Sequence, residues 1–390
     1  MRLGFPSVDR LRARQGSKWS KFPPGVLPVT PAESDLAPCP AVDDALRGWL
    51  HDQRYGYPLQ EERGPAEALR NTFSRRMCVA FDWVPDPRDT QLTVSGSQAL
   101  IACVLAYSGS GDGVAFHTPV FPALRSAVEN AGRRPVPQPM LQRQGRFVLG
   151  EMTPEPGEAR MFLLCNPHNP TGRAFDAEEL GALARWIERE DIVVISDELH
   201  ADLMLDGRRH KPFAKLFPAL AERTVTLCSP SKAFGLGGLG CAILHFGSRE
   251  LEKLFRTRIP PELLGEPAVP SLLASEAAWR SGSDWLQSVT GLIERSRNSF
   301  MEQLAGRAPG IRLHAPDATF FVWADLRGLN APERPFDLML RKGRIAASDG
   351  AHYGDGFDGF ARFVLAMPPE RVHDLVSRLV SALPTSRGIC

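Results

Sequence analysis

The stretch Leu227-Cys228-Ser229-Pro230-Ser231-Lys232-Ala233-Phe234-Gly235 closes a β-rich run, Thr224 to Leu227, with small hydroxyl residues and then a lysine. Hydroxyls and free N–H groups at the end of a buried strand make a poor core but a good anion cradle. A lysine there is partly desolvated, which lowers its pKa and suits it to form a Schiff base. Ser95-Gly96-Ser97-Gln98-Ala99 also follows a strand and opens an apolar helix. Free N–H groups, the helix dipole and glycine's small size favour a phosphate there; an ordinary helix cap is the other reading.

Two further stretches carry polar groups at strand ends. In Cys165-Asn166-Pro167-His168-Asn169-Pro170-Thr171-Gly172 the two prolines prevent helix and ladder formation, which fixes Asn169 as a rigid hydrogen-bond donor. Ile192 to His200 places Asp197 at the end of a buried strand. A buried aspartate needs a cationic partner, and a protonated pyridine nitrogen is one that keeps the ring an electron sink. His200 stands either near a ring hydroxyl or on the surface. In His117-Thr118-Pro119-Val120-Phe121 the Phe121 ring either stacks on an aromatic cofactor or is simply core.

These groups need a scaffold that delivers strand ends to one edge. Apolar strands are expected at Gln91–Val94, Gly113–His117, Arg160–Leu164, Asp191–Ser196, Thr224–Leu227 and Cys241–Phe246, with helices between them. Asp176 followed by Glu179 is a capping-box pattern for a helix burying Leu180, Leu183, Ala184 and Ile187. Near-continuous apolar strands alternating with helices indicate an α/β protein with a mostly parallel sheet covered on both faces, whose ligands sit at the C-terminal strand ends. Pro260-Pro261 and Gly265 to Pro270 mark a break. After it come helices at about 271–280 and 285–305, strands at Phe320–Trp323 and Phe360–Leu365, and a last helix burying Val372, Leu375, Val376 and Leu379. The division is an N-terminal arm, 1–45, extended over another surface and contributing to a small domain; a large domain, 46–265; and a small α+β domain, 266–390.

Composition excludes other classes. Net charge is +1 and charges of both signs are mixed, so neither nucleic-acid nor membrane binding is indicated. No apolar run reaches the length of a membrane span, and the first residues lack a signal-peptide core. The 7 cysteines show no metal-ligand spacing, and four of them lie in apolar runs, which fits a reducing cytoplasm. No Gly-x-Gly-x-x-Gly follows an early strand, which disfavours a Rossmann dehydrogenase.

Taken together, the chain resembles the fold-type I pyridoxal-phosphate enzymes of the aminotransferase superfamily, with a large domain built on a seven-stranded sheet. It is most similar to the MalY/PatB-type cystathionine β-lyases (C–S lyases). Besides the stretches above, the resemblance rests on Ser17-Lys18-Trp19, Tyr55-Gly56-Tyr57 and Gly359-Phe360-Ala361-Arg362-Phe363. It implies that pyridoxal 5'-phosphate is carried on Lys232, with Asp197 at the pyridine nitrogen and Asn169 and His200 at the ring oxygen. Phe121 stands where the family usually has tyrosine. Gly96, Ser97, Gln98, Ser229 and Ser231 bind the phosphate, and Tyr57 reaches the phosphate of the neighbouring subunit in a homodimer with shared active sites. Arg362 clamps the substrate α-carboxylate, and Trp19 lies on the substrate side. The implied reaction is β-elimination from a cysteine S-conjugate to a thiol, pyruvate and ammonia. Val29 to Leu36 departs from the family's Trp-Val-Ala-Asp-Met-Asp-Phe stretch, and Phe234-Gly235 replaces Phe-Asn. These departures keep open a role in antibiotic tailoring of the lincosamide type, decarboxylation-coupled oxidative deamination, transamination, and a regulatory protein with a vestigial cofactor.

Overall fold

The computed structural model describes residues 3–59, 64–329, 331 and 333–383. Seven strands form the large sheet: β1 (Thr90–Thr93), β2 (Gly113–Thr118), β3 (Arg134–Pro139), β4 (Met161–Cys165), β5 (Val193–Asp197), β6 (Thr224–Cys228) and β7 (Ala242–Phe246). Their order is β1-β7-β6-β5-β4-β2-β3. β7 runs antiparallel to both neighbours and the rest pair in parallel. The central strands are apolar at successive positions because both faces are covered. Leu163, Ile195, Val225 and Leu244 pack on one side against the helix Gly96–Tyr107. Phe162, Leu164 and Val194 pack on the other against the helix Ala177–Glu190. That second helix starts with the expected capping box: Asp176 accepts from the Glu179 N–H and the Glu179 side chain reaches back, a contribution of about 1 kcal/mol.

β3 was not among the strands expected from sequence. Its residues read Arg-Pro-Val-Pro-Gln-Pro, and prolines argue against a strand. It lies at the sheet edge, and Arg134 and Met140 donate inward to Asp112 and Thr118 carbonyls. The alternating prolines Pro135, Pro137 and Pro139 therefore all turn their missing N–H toward the unpaired side. A hairpin of Leu141–Arg143 with Arg146–Val148 follows, also unexpected.

The smaller unit is an antiparallel sheet of Arg312–His314, Phe321–Asp325, Phe360–Val364 and Ser348–Asp349, in that spatial order. The helices Ser283–Ala305 and Pro369–Ala382 pack against each other over it. The helix Val269–Ser281 packs instead on Pro40–His51 and Pro65–Phe81, so the covering layer of the large sheet continues past residue 265. The N-terminal arm is not simply extended: it contains the helix Val8–Ala13 and the turn Ser17–Ser20. Leu27–Pro28 then pairs in parallel with Ile345–Ala346, and Val29 accepts from the Val364 N–H.

One junction sets the two units against each other. Asp317, buried, accepts from Arg146 at 2.7 Å and pairs with Arg173 and Arg208. The Asp317 and Ala318 N–H groups both donate to the Gly172 carbonyl. Gly172 has a φ of +69°, and a Cβ there would lie 2.3 Å from Pro316 Cβ, so only glycine fits. The junction delivers Phe320 and Phe321 to the His200 ring, with centroids 6.0 and 5.1 Å from it.

Candidate active site

The C-terminal ends of β1, β4, β5 and β6 open on one edge of the sheet, since all four run in the same direction. Asp197 ends β5, 3 % exposed, and the Leu199 N–H donates to its carboxylate at 3.1 Å. Among the described residues no cation lies within ion-pair distance of it. Burial pushes its carboxyl up to about 7, against the Leu199 N–H and the Lys232 ammonium, and neighbouring Glu198 adds to the rise. Glu198 itself turns away into a buried network with Ser196, His210 and the Phe213 N–H.

Lys232 sits in the helical turn Ser231–Phe234 that follows β6, which ends on Gly235 at φ +68°. It is half-buried and makes no ion pair among the described residues. Burial lowers its pKa and the Arg362 guanidinium lowers it further, while Asp197 and Glu33 act in the opposite sense. His200 is buried with Nδ1 unpartnered. Burial, then Lys232 and Arg362, hold it well below the usual histidine range, so the ring is neutral.

Arg362 lies in the middle of the small sheet, 5 % exposed. It donates to Asn169 Oδ1 at 2.7 Å and Ser348 Oγ at 3.1 Å, and its guanidinium rests 4.2 Å from the Phe321 ring centroid. Its Nε has no partner, and it meets no carboxylate among the described residues. A buried charge without a counter-ion is costly, and a bound carboxylate would remove that cost.

At the other end, Gly96 and Ser97 start the helix Gly96–Tyr107, where N–H groups lack intrahelical acceptors. A Cβ on Gly96 would meet Leu199 Cδ1 at 2.7 Å, so the helix start abuts the segment after Asp197. Ser231 offers a half-buried hydroxyl at the start of the turn after β6. Two residues expected at the phosphate are already engaged. Gln98 accepts from the Val94 N–H and donates to the Leu263 and Leu264 carbonyls, and its own N–H donates to Ser95. Ser229 donates to the Cys241 carbonyl at 2.6 Å and accepts from the Ser231 N–H. Both brace the cradle from behind.

The structure thus brings Lys232, Asp197, His200, Asn169 and Arg362 together. Phe121 caps the helix Pro122–Asn130 and packs at the margin of two cores. Trp19 does not reach the cleft: it is buried in the arm, donates to Asp35 at 2.7 Å, and lies between Arg12 and Arg371. Tyr57 is fully exposed on the surface. Sequence reasoning missed Ser348, Phe321, Glu33 and Tyr353, whose ring centroid lies 5.5 Å from the Arg362 guanidinium. The polar Ser348-Asp349-Gly350 turn was the signal for the first; the others read as core or solvent.

A planar cofactor with an anion at one end, a ring nitrogen that gains a proton and a carbonyl carbon fits these residues. The anion would meet the Gly96 and Ser97 N–H groups, the nitrogen's proton would answer Asp197, and the carbonyl would face Lys232. Comparison with known proteins agrees. The profile of aminotransferase class I and II matches residues 79–379. The chain is 28 % identical to the cystathionine β-lyase PatB of Bacillus subtilis, over 98 % of this chain and 100 % of that one. It is 27 % identical to a cystathionine β-lyase of Corynebacterium glutamicum, over 98 % and 100 %. The fold matches cystalysin of Treponema denticola, a structure containing pyridoxal 5'-phosphate, with a TM-score of 0.90 at 23 % identity over 98 % and 99 % of the two chains. With the fold, the strand-end chemistry and the family profile in agreement, the chain belongs to the class I and II aminotransferase family, of fold type I, and its cofactor is pyridoxal 5'-phosphate.

Proposed function

We propose that the protein is a carbon–sulfur lyase that, consuming one water, cleaves a cysteine S-conjugate to a thiol, pyruvate and ammonia. The observation that carries this reading is Arg362: a buried guanidinium, fixed by Asn169 and Ser348, without a carboxylate partner among the described residues and within electrostatic reach of Lys232. That is a receptor for the α-carboxylate of an amino acid whose α-carbon lies beside an amine base. The similarity to cystathionine β-lyases supports sulfur at the β-position.

Pyridoxal phosphate supplies a sink for negative charge at the substrate α-carbon. The protein's own groups do the rest. Arg362 and Asn169 orient the substrate. Lys232, whose lowered pKa leaves a larger unprotonated fraction, takes the α-proton at Nζ. Asp197 stays ionised once a cationic N–H faces it, because the opposite charge offsets its burial. The Cβ–S bond then breaks and the sulfur leaves with the electron pair.

The departures at Val29–Leu36 and Gly235 support an S-conjugate other than cystathionine, in specialised metabolism. Full exposure of Tyr57 supports a homodimer in which it serves the neighbouring site. Mass-spectrometric product analysis with pyridoxal phosphate and a panel of S-substituted cysteines tests the reaction. Thiol with pyruvate is the expected result. Carbon dioxide and an aldehyde with the C–S bond intact, or a keto acid with sulfur retained, would assign a different reaction.

A further inference from the structure

The segment Thr30–Asp35 runs from the Arg362 end of the active site to a pocket beside the turn that carries Lys232. Thr30 Oγ1 lies 2.8 Å from Ser348 Oγ, which itself accepts from Arg362. Three residues on, Glu33 lines a pocket of about 320 Å³ together with Phe234 and Gly235, the residues just after Lys232. The walls are otherwise largely apolar, from Leu36, Val42, Leu236, Leu239 and Trp285. Two more charged residues line it. Asp43 is bonded to Arg47 at 2.9 Å, and Arg14 donates to the Leu36 carbonyl at 3.4 Å. Glu33 is the lining carboxylate with no ion pair among the described residues, and its charge is felt at Lys232.

The backbone at Glu33 is held from behind by an unusual buried charge. Lys18 is 1 % exposed and donates to the Glu33 carbonyl at 2.9 Å while pairing with Asp35 at 3.0 Å. Asp35 also receives Trp19 Nε1 and Arg371. The network fixes both sides of residue 34, so the Glu33 side chain leaves from a pinned main chain. A buried lysine is retained at a desolvation cost that a purely apolar side chain would avoid.

From this we infer that Glu33 is a specificity-determining residue that receives a cationic nitrogen carried on the substrate's sulfur substituent, and that Lys18 is its positioning residue. The inference rests on the C–S lyase reading and names the substrate class within it: cysteine conjugates whose S-substituent has an apolar body and an ammonium at its far end.

The test compares two probes of nearly equal shape, S-(2-aminoethyl)-L-cysteine and S-propyl-L-cysteine, with the holoenzyme. Both kcat/KM for pyruvate release and Kd by calorimetry are measured. The expected preference for the ammonium is about tenfold in the native protein, falling to about one in Glu33→Gln. Lys18→Met is expected to lower the same ratio by about threefold or more. A purely structural lysine would reduce total activity and leave the ratio alone, and partial misfolding cancels in a ratio. A native ratio near one, or a ratio unmoved by Glu33→Gln, overturns the inference. If neither probe yields pyruvate while calorimetry retains the preference, the C–S lyase reading fails and the assignment of Glu33 stands.

Discussion

Replacing Arg362 by methionine removes the fork that is expected to hold the substrate carboxylate and keeps most of the side-chain volume. In the structure the guanidinium is already fixed by Asn169 and Ser348 over Phe321, so little ordering is left for substrate binding to do. Two charge-assisted hydrogen bonds at roughly 1.5–3 kcal/mol each put the loss near 4 kcal/mol. That is about 10³-fold in kcat/KM. Lysine keeps the charge but not the fork and is expected to fall about 10- to 100-fold below the native protein. The assay is steady-state cleavage of an S-substituted cysteine, paired with inhibition by the matching S-substituted cysteamine, which lacks the carboxylate. Inhibition by the cysteamine should be nearly unchanged. A drop smaller than tenfold for the amino acid, or an equal drop for both ligands, would refute the carboxylate role. Stability should move little, because the unpaired Asn169 oxygen left behind is offset by removal of a buried charge that had no anion.

Borohydride reduction of the native holoenzyme should add the cofactor's mass to the peptide containing Lys232, and Lys232→Ala should show no such addition and lose at least about 10⁴-fold in turnover; labelling elsewhere would displace Lys232. Asp197 has a folded-state pKa raised to about 7 by burial in the cofactor-free protein, so between about pH 4 and 7 the folded state binds the extra proton. Its stability therefore falls as pH rises through that window, by on the order of 4 kcal/mol from this group. Cofactor-free Asp197→Asn should then be clearly more resistant to urea than the native protein at pH 8 and about equal at pH 5; equal curves at pH 8 would contradict the buried, unpaired carboxylate. If Tyr57 serves a neighbouring subunit, Tyr57→Ala and Lys232→Ala proteins are each inactive, and mixing them after dissociation restores about a quarter of native activity in hybrid dimers. No recovery would place Tyr57 outside the shared site.

Much of this was legible because one feature serves both fold and chemistry. Arg160–Leu164 and Asp191–Ser196 read as buried strands from their apolar runs, and the polar residues that follow them stood out for lack of a packing reason. Asp176 and Glu179 announced their helix in the same local way. What escaped the sequence depended on distant neighbours. The prolines of β3 are acceptable only because nothing pairs with its outer edge. Trp19 looked available for substrate until Asp35 was seen to take its N–H. Gln98 and Ser229 have the right chemistry for a phosphate but are held by the Leu263, Leu264 and Cys241 carbonyls. Glu33 gave no signal of its own, since its significance comes from Lys18 behind it and Phe234 beside it.

The pairing of Leu27–Pro28 with Ile345–Ala346 also governs how the molecule is made. Arg344 bonds the Pro24 carbonyl across 320 residues, so the arm leaves the ribosome long before its partner strand exists. At roughly 5–20 residues per second the interval is on the order of 15–60 s. During it Leu11, Trp19, Leu27 and Val29, all finally buried among Val322, Phe363 and Val376, have no native surface to occupy. The large sheet has time to assemble first, and the arm, though synthesised well before it, is among the last parts to be locked. Expressed alone, the C-terminal third would lack that wall of its core, and its apolar face would remain open to association with other chains.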